Sequence, residues 1–427
     1  MNTVINPAKH IKGKIVVPGD KSISHRSVMM GAIAKGTTNV RGFLTGEDCL
    51  STINCFKELG INIEINGTDV VIHGKGLHGL TAPAKTLDVG NSGTTLRLMS
   101  GLLSAQPFSS RLTGDSSIQK RPMDRVAAPL EMMGGKIVSD GVKLTAPLTI
   151  NGCKLHAIDY TLPVASAQVK SAVILAGLYA DGTTKITEPE LTRDHTEIML
   201  NYLGANIVRE GNTIVVNPVK ELTAKDIEVP GDISSAAYFI AAALICDDSS
   251  VIIKNVGVNP TRTGIITAFK NMGADIELLN ERIVCGEHVA DISAKSSRLH
   301  GTVIKGDIIP KLIDEIPVIA AVACYADGTT IIADAQELKV KESNRINTVV
   351  SELAKMGADI SATDDGMIIN GKNTMHGALC ESYNDHRIAM SIAVAALSAD
   401  SPTEIKNSEC ADISFPEYYS MLNSLTE

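Results

Sequence analysis

Five short stretches of this chain concentrate ionisable and hydroxyl side chains. They read GDKSISHRS (19–27), GNSGTTLR (90–97), KLIDEIPVIAA (311–321), LKVKESNRI (338–346) and YNDHRIAM (383–390). Clustered lysine and arginine bind oxyanions through charge-assisted hydrogen bonds, and carboxyl or imidazole groups beside them can transfer protons. The stretches therefore indicate a site that binds anions and performs acid–base chemistry.

Two of these stretches suit anion binding in particular. In the first, Lys21 in a loop and Arg26 in the first helical turns can point at one oxyanion. In the second, Gly90 and Gly93 flank Asn91, so that backbone amides can approach a ligand closely. A solvated helix cap explains the first stretch as an alternative, and a plain tight turn explains the second.

The carboxylates of two other stretches are candidates for proton transfer. On a helix that begins near Lys341, Glu342 and Arg345 share one face. They form either an ordinary surface ion pair or a carboxyl held beside cations. Asp314 and Glu315 precede a strongly apolar helix, where they either favour the helix dipole or take part in catalysis.

The fifth stretch places Asp385, His386 and Arg387 directly before another apolar helix. Three ionisable groups at such a position are costly unless they face a ligand. Taken with the other stretches, this cluster favours a catalytic role for the carboxylates over a purely structural one.

Composition excludes several other classes of protein. The 427 residues carry 39 Lys and Arg against 48 Asp and Glu, a net charge of −9, with no Trp. This balance is the reverse of that in nucleic-acid-binding proteins, so we expect no nucleic-acid partner. The apolar runs are shorter than the roughly 18 residues of a bilayer span, so we expect no membrane partner. The N-terminal residues contain no apolar signal segment, so we expect a cytoplasmic protein.

The cysteines and histidines show no metal-binding spacing. The eight Cys include no CxxC pair, and the ten His include no HExxH motif. No GxxxxGK[ST] loop is present, and the one GxGxxG match, at 74–79, is followed by Pro83, which prevents the helix that a dinucleotide site requires. We therefore expect no metal and no cofactor.

The elements that must position these residues repeat along the chain. A helix ending in Gly followed by a short strand recurs at Gly60, Gly134, Gly204, Gly273 and Gly357, a period near 70 residues, and a sixth unit runs out at the C-terminus. Each unit also contains a strand, a polar loop and an apolar small-residue helix. Strand and helix alternation predicts an α/β fold of six βαβ-type modules.

The six polar loops all open helices, whose N-termini favour anions. Basic residues lie on or beside them, among them Lys21, Arg26, Arg97, Lys170, Lys311 and Arg387. The similar motifs VPGDKSIS (17–24) and VPGDISSA (229–236) predict two crossings between domains. We expect one domain at 21–233 and the other at 1–20 with 234–427, with the active site in the cleft between them.

Nine motifs carry a resemblance over essentially the whole chain. In order they are PGDKSISHR, GNSGTTLRLM, GDSSIQKRPM, PVASAQVKSAVILAGL, TRDHTE, PGDISSAA, IDEIP, LKVKESNRI and NDHRIAM. They resemble the 5-enolpyruvylshikimate-3-phosphate synthase family. The resemblance implies two similar domains, each of three βαβαββ repeats in an inverted barrel-like arrangement, hinged around a cleft. It also implies transfer of the enolpyruvyl group of phosphoenolpyruvate to the 5-hydroxyl of shikimate 3-phosphate by addition and elimination, in a monomer.

The resemblance assigns residues to each substrate. The implied contacts to shikimate 3-phosphate are Lys21, Ser22, Arg26, Ser166, Gln168, Arg193, Asp314 and Lys341. The implied phosphoenolpyruvate pocket is Lys21, Asn91, Gly93, Arg121, Gln168, Arg345 and Arg387. Asp314 is the candidate base, Glu342 the candidate proton donor to the methylene carbon, and Lys21 and His386 complete the catalytic set.

Two departures from the family pattern bear on these assignments. Ala167 stands where many relatives have a second Ser, and Asp412 to Pro416 lacks a Lys that many relatives carry near the C-terminus. Enolpyruvyl transfer to a UDP-amino sugar is the nearest alternative, but that family has an Asn-rich start after its first Lys and a loop Cys, and neither is present here. A hinged anion-binding protein without catalysis is the other alternative, which Asp314 and Glu342 disfavour because carboxylates weaken plain anion binding.

Overall fold

The computed structural model describes residues 1–372 and 374–426. Its strands, in chain order, are β1 (Asn2–Ile5), β2 (Lys12–Val16), β3 (Lys35–Arg41), β4 (Asn62–Asn66), β5 (Asp69–Lys75), β6 (Leu87–Asp88), β7 (Ser109–Thr113), β8 (Lys136–Ser139), β9 (Leu148–Asn151), β10 (Asp159–Thr161), β11 (Thr184–Thr187), β12 (Asn206–Glu210), β13 (Thr213–Asn217), β14 (Ile227–Glu228), β15 (Ser250–Gly257), β16 (Asp275–Val284), β17 (Glu287–Lys295), β18 (Val303–Ile304), β19 (Thr329–Ile332), β20 (Asp359–Ala362), β21 (Met367–Asn370), β22 (Leu379–Glu381) and β23 (Thr403–Lys406).

The helices alternate with these strands. They are α1 (Lys21–Ile33), α2 (Glu47–Glu58), α3 (Gly93–Ser104), α4 (Asp124–Met132), α5 (Ala167–Gly177), α6 (His195–Tyr202), α7 (Ile233–Ile245), α8 (Gly264–Asn271), α9 (Ile316–Ala323), α10 (Arg345–Lys355), α11 (His386–Leu397) and α12 (Tyr418–Leu425). Short 3₁₀ segments include Gly306–Lys311, Ile313–Glu315, Gln336–Val340 and Ser408–Ile413. Over the described residues, none of the helices combines the length and apolar character that crossing a bilayer requires.

The chain divides into two compact units. Unit A comprises Gly19–Val229 and the short segment Val284–Glu287, and unit B comprises Met1–Pro18, Pro230–Ile283 and the chain from His288 on. Each unit has its own apolar core. The chain passes from one unit to the other inside each of the two VPGD motifs.

The order β-α-β-α-β-β occurs five times along the described chain, and a sixth copy ends after α12. Each unit contains three sheets. In unit A the sheets have the strand orders β14-β3-β5-β4, β6-β7-β9-β8 and β10-β11-β13-β12. In unit B they have the orders β16-β17-β15-β2, β18-β19-β21-β20 and β1-β23-β22. Every sheet contains one parallel pair and at least one antiparallel pair. The predicted α/β fold of six repeats is confirmed.

Three strands pair outside the repeat in which the sequence order places them, namely β2, β14 and β1. By sequence β2 precedes α1 and β3, yet it pairs in parallel with β15, while β14 pairs in parallel with β3. The sixth repeat runs out after α12, and the N-terminal strand β1 completes its sheet by pairing antiparallel with β23. The sequence period alone does not show these long-range pairings.

Helix ends explain why the repeat is visible in the sequence. Gly60, Gly134, Gly204, Gly273 and Gly357 each follow an even-numbered helix and have φ between 85° and 101°. This left-handed conformation ends a helix at little cost only for glycine. The odd-numbered helices are buried within their units along most of their length. Of these, α5, α7, α9 and α11 are apolar over most of their surface, as buried helices usually are.

Candidate active site

In unit A, three buried helices begin next to one another. Helices α1, α3 and α5 are each capped by a side chain that accepts a first-turn N–H, namely Asp20, Ser92 and Ser166. Arg97 of α3 donates to Gln168 of α5 at 2.7 Å, which brings the first turns of these helices together. Because a helix N-terminus carries partial positive charge and unpaired N–H groups, this end of unit A favours an anion.

Gly93 lies beneath two guanidinium groups at the start of α3. A Cβ on Gly93 would lie 2.7 Å from Nη1 of Arg97 and 3.1 Å from Nη1 of Arg121. Arg121 donates to Oδ1 of Asn91 at 2.8 Å, and Nδ2 of Asn91 donates to Asp115 at 2.5 Å. Both arginines approach this helix start so closely because no side chain fills the position. The corner can therefore hold an oxyanion against two cations.

Arg26 is held by hydrogen bonds deep in unit A. Its guanidinium donates to Thr196 Oγ1 at 2.7 Å, to Ser171 Oγ at 2.9 Å and to the carbonyl of Ser22 at 3.0 Å. Burial lowers the pKa of Arg26 to about 10, nearby carboxylates oppose that shift, and the charge of Arg193 adds to it. Arg26 thus lies near a second cation, Arg193, and near the carboxylates of Glu197 and Asp20, which influence its pKa more strongly.

Other predicted residues surround these arginines. Lys21, the first residue of α1, forms an ion pair with Asp48 at 2.5 Å, and its side chain keeps 24% exposure. Gln168 donates to Thr94 Oγ1 at 3.1 Å, while Ser22 and Ser166 are half-buried. Lys21 therefore remains accessible to a ligand at the edge of this cluster.

His25 is fully buried beneath the same helix start. Its Nδ1 pairs with Thr52 Oγ1 at 2.7 Å, and Thr52 pairs in turn with Thr95 at 2.7 Å. Burial lowers the pKa of His25 from 6.5 to about 3, with Asp48 opposing the shift and Lys21 adding to it. The imidazole is therefore neutral near pH 7 and supports the fold of the cluster without adding charge.

This burial predicts that acid destabilises the protein. Below pH 6.5 the unfolded chain binds a proton at His25 that the folded chain takes up only near pH 3, so folding stability falls as the pH falls. From pH 6.5 to pH 5 the loss from this group is about 2 kcal/mol. Urea unfolding at pH 7 and pH 5 measures it, with His25→Asn as the control, which keeps a polar group near Thr52 and lacks this proton uptake. Equal pH dependence in both proteins would contradict the assignment.

Lys170 does not face a ligand, although its position beside one of the six loops led us to expect that it would. Its side chain is fully buried, with Nζ 2.9 Å from Glu197, 3.2 Å from Glu188 and 3.2 Å from the carbonyl of Thr192. Arg209 adds a second cation to both carboxylates. The first turn of α5 points Lys170 into the interior, so this lysine belongs to a buried ion-pair network.

In unit B, one buried arginine gathers three carboxylates. Arg345, the first residue of α10, is 2% exposed and binds Asp385 at 2.9 Å, Glu342 at 2.6 Å and Asp314 at 3.3 Å. Burial alone would lower the pKa of Arg345, but the three carboxylates outweigh it and raise the pKa above its ordinary value. Lys341 lies 3.3 Å from the same Asp314 oxygen. Glu342 and Asp314 are therefore partly exposed acids fixed on a common cation.

Three helix starts meet through Glu315 in unit B. Ser234 of α7 donates to the buried Glu315 carboxylate, which lies 3.8 Å from Arg387 of α11 and 3.8 Å from Arg262. Burial would lower the pKa of Arg387, but the side chains of Tyr238 and of nearby carboxylates raise it. Arg387 keeps 12% side-chain exposure. Its charge is thus held at the common end of α7, α9 and α11.

The helix expected near Lys341 begins later. Lys341 is extended, α10 begins at Arg345, and Asn344 caps it by accepting the N–H of Asn347 at 3.4 Å. An Asn side chain at this position competes for the backbone N–H and starts the helix there. Glu342 still reaches Arg345 from the preceding turn, but with a buried arginine the pair is not an ordinary surface one.

The structure therefore divides the predicted site residues between two clusters. Unit A holds Lys21, Ser22, Arg26, Asn91, Gly93, Arg121, Ser166, Gln168 and Arg193. Unit B holds Asp314, Lys341, Glu342, Arg345, His386 and Arg387, with His386 4% exposed at the start of α11. Each cluster combines helix N-termini with guanidinium groups, and in the unit B cluster two partly exposed carboxylates, Asp314 and Glu342, are fixed on Arg345.

Comparison with known proteins identifies the family. The family model described as EPSP synthase (3-phosphoshikimate 1-carboxyvinyltransferase) matches residues 5–422. The chain belongs to the EPSP synthase family. A 3-phosphoshikimate 1-carboxyvinyltransferase of Brevibacillus brevis is 56% identical over 425 residues, covering 99% of each chain. One of Thermoanaerobacter sp. is also 56% identical over 425 residues, covering 100% of each chain.

Solved structures agree with this membership. A solved structure of EPSP synthase from Acinetobacter baumannii is similar, with a TM-score of 0.91 and 48% sequence identity, covering 100% of this chain and 98% of that one. The family resemblance of the nine motifs is thereby confirmed.

Several residues of this EPSP synthase family member join the clusters without having been assigned a role from the sequence. Arg97 was noted only as a basic residue, yet it reaches over Gly93 beside Arg121. Tyr238 lies beside Arg387, and Arg262 lies 3.8 Å from Glu315, the carboxylate that also faces Arg387. The signal for Arg97 is its position four residues after Gly93, one helical turn further on. Arg262 and Tyr238 are distant in sequence, and no local pattern marks them.

Proposed function

We propose that this chain transfers the enolpyruvyl group of phosphoenolpyruvate to the 5-hydroxyl of shikimate 3-phosphate, releasing phosphate, in aromatic amino-acid biosynthesis. Membership of the EPSP synthase family supports this activity. From the geometry, the observation that carries it is the pair of partly exposed carboxylates, Asp314 and Glu342, fixed on the buried Arg345. Enolpyruvyl transfer needs an acid and a base close to bound anions.

The chemistry defines what each group must do. A proton adds to the methylene carbon of phosphoenolpyruvate, and the 5-hydroxyl oxygen attacks C2 while losing its own proton. The tetrahedral adduct then loses a proton from the new methyl group and expels phosphate, which restores the double bond. Proton gain and loss balance over these steps, and no cofactor or metal is required. We assign Glu342 as the proton donor to carbon and Asp314 as the base at the hydroxyl.

The clusters also suggest how the anions are held. We propose that Lys21, Ser22, Arg26, Ser166, Gln168, Arg193, Asp314 and Lys341 contact shikimate 3-phosphate. The proximity of the two cations Arg26 and Arg193 supports the placing of its phosphate beside them, because arginines bind phosphate oxygens through charge-assisted hydrogen bonds. Ala167, in place of a second Ser, leaves Ser166 to donate its hydroxyl there.

We propose that phosphoenolpyruvate takes the guanidinium groups of both clusters. Its contacts are then Lys21, Asn91, Gly93, Arg121, Gln168, Arg345 and Arg387, and we add Arg97. The support is the bare backbone of Gly93 under Arg97 and Arg121, and the charge held on Arg387. Electrostatic stabilisation by such preorganised cations is effective where phosphate leaves. His386, beside Arg387, would orient the phosphate or relay protons.

The same proposal covers the organisation of the molecule. We propose that units A and B are the two domains predicted near 21–233 and at 1–20 with 234–427, and that both serve one reaction. The monomeric state and the cytoplasmic location also stay predictions. Size-exclusion chromatography with light scattering measures the oligomeric state, and we expect a mass near 45.1 kDa.

Phosphate release tests the proposed activity. The protein is given phosphoenolpyruvate with either shikimate 3-phosphate or UDP-N-acetylglucosamine as the acceptor, and released phosphate is measured. We expect release only with shikimate 3-phosphate. Release with the UDP-sugar would replace the proposed acceptor, and tight binding of both substrates without any release would indicate an anion-binding protein.

A further inference from the structure

Two consecutive residues adopt left-handed backbone conformations directly before the Asp385-His386-Arg387 motif. Tyr383 has φ of 56° and Asn384 has φ of 54°. Asparagine tolerates this region, but a tyrosine there is a genuine outlier. Such a conformation persists only where the surroundings impose it, and it is concentrated at functional sites. The contacts that impose it here are therefore informative.

One anchor of this turn is Glu352, on the last turns of α10. Its buried carboxylate accepts the Tyr383 hydroxyl at 2.8 Å, the Glu381 N–H at 2.9 Å and the Lys355 ammonium at 2.7 Å. Burial would raise the pKa of Glu352, but these donors, Lys355 first, hold it below its ordinary value. A charged acceptor thus fixes both the backbone and the ring at the left-handed turn.

The other anchor is Arg345, seven residues earlier on the same helix. It binds both oxygens of Asp385, at 2.9 Å and 3.2 Å, and Asp385 caps α11 by accepting the N–H of Arg387 at 3.0 Å. Residues seven apart lie on one face of a helix, two turns from each other. One face of α10 therefore contacts the chain on both sides of the left-handed pair, at Glu381 through Glu352 and at Asp385 through Arg345.

We propose that Glu352 and Tyr383 are positioning residues that set the direction in which His386 and Arg387 leave the left-handed turn. The inference rests on the proposed function, in which Arg387 binds phosphoenolpyruvate. Neither Glu352 nor Tyr383 touches that substrate in this scheme. They act through the turn, whose conformation decides where the first residues of α11 lie. Their loss should then affect one substrate much more than the other.

Steady-state kinetics of Tyr383→Phe tests this split. The variant removes one hydroxyl from a side chain that is 41% exposed, so the fold should persist. We expect the KM for phosphoenolpyruvate to rise about tenfold, as for loss of a hydrogen bond to a charged group. The KM for shikimate 3-phosphate should stay within about twofold, because Arg387 is not among the proposed contacts of that substrate. The kcat should fall with the displacement of His386 and Arg387, which act where phosphate leaves. Tyr202→Phe is the matched control, because Tyr202 also makes one hydroxyl bond, at 3.0 Å, to a backbone carbonyl.

Glu352→Gln provides a second variant of nearly equal shape. It should raise the same KM, and the double variant with Tyr383→Phe should raise it by less than the product of the two single effects, because both changes weaken the contact between Glu352 and Tyr383. An unchanged KM for phosphoenolpyruvate in both single variants overturns the positioning role. The positioning role is also overturned if both KM values rise equally while kcat and the melting temperature fall, because that pattern marks a structural role alone.

The wild-type protein separates this inference from the proposed function. If the wild type releases no phosphate from the two substrates, the proposed function fails and the inference fails with it. If the wild type is active and Tyr383→Phe behaves like Tyr202→Phe, only the positioning role is lost.

Discussion

Asp314→Ala should fold normally and lose turnover by about a hundredfold or more, the range expected when a general base is removed. The fold should survive because Arg345 keeps Asp385 and Glu342 as partners, at 2.9 Å and 2.6 Å. Lys341, which loses its ion pair with Asp314, has a side chain that is 29% exposed and can be hydrated. Phosphate release under saturating substrates measures kcat, and circular dichroism measures the fold.

Two further variants make this result specific. Asp314→Asn keeps the size and hydrogen-bonding capacity of the side chain but cannot accept the proton, so it should be as slow as Asp314→Ala. Asp307→Ala changes an exposed carboxylate in the neighbouring 3₁₀ segment and should be as active as the wild type. A kcat within about threefold of the wild type for Asp314→Ala would end the assignment of this residue as the base.

The repeat architecture could be predicted because its determinants are local. Gly60 and its four equivalents end helices in a conformation that other residues adopt only at a cost, so the spacing of these glycines survives in the sequence. The apolar, small-residue helices such as Ile233–Ile245 are recognisable for a similar reason, since a helix without a polar face must be buried.

Strand pairing could not be predicted in the same way. The exchange of β2 and β14 places Lys12–Val16 beside β15, more than two hundred residues away in the chain. The parallel partner of a strand depends on the packing of the whole unit. The sequence of a two-residue strand such as Ile227–Glu228 therefore does not indicate its partner. The N-terminal strand that completes the sixth sheet is hidden for the same reason.

The candidate site was predictable where charged residues stand at helix starts, as at Asp314 and Arg387. It was not predictable where a residue acts through a distant partner. Glu352 resembles an ordinary helical acid paired with Lys355, and only the structure shows its contact with Tyr383. The start of α10 was misplaced by about one turn, because the cap formed by Asn344 outweighs the polar residues before it.

Lys170→Met should lower the free energy of unfolding by about 3–5 kcal/mol, the usual cost of removing one member of a buried ion pair. The change leaves Glu188 and Glu197, both buried, paired with the partly exposed Arg209. Methionine fills much of the space of the lysine stem, so packing should contribute little to the loss. Urea unfolding monitored by circular dichroism measures it.

This variant also decides between two roles for Lys170, because they predict opposite results. If Lys170 faced an anionic ligand, as expected for the basic residues beside the six loops, its removal would raise a substrate KM strongly and change stability little. If Lys170 instead neutralises the buried Glu188 and Glu197, its removal should lower the free energy of unfolding strongly. The substrate KM values of the folded protein should then stay unchanged. Lys185→Met, at an exposed position on β11, is the control and should change stability by less than about 0.5 kcal/mol. A loss below about 1 kcal/mol for Lys170→Met would contradict the buried network, because removing one of the cations that pair with two buried carboxylates should cost more than that.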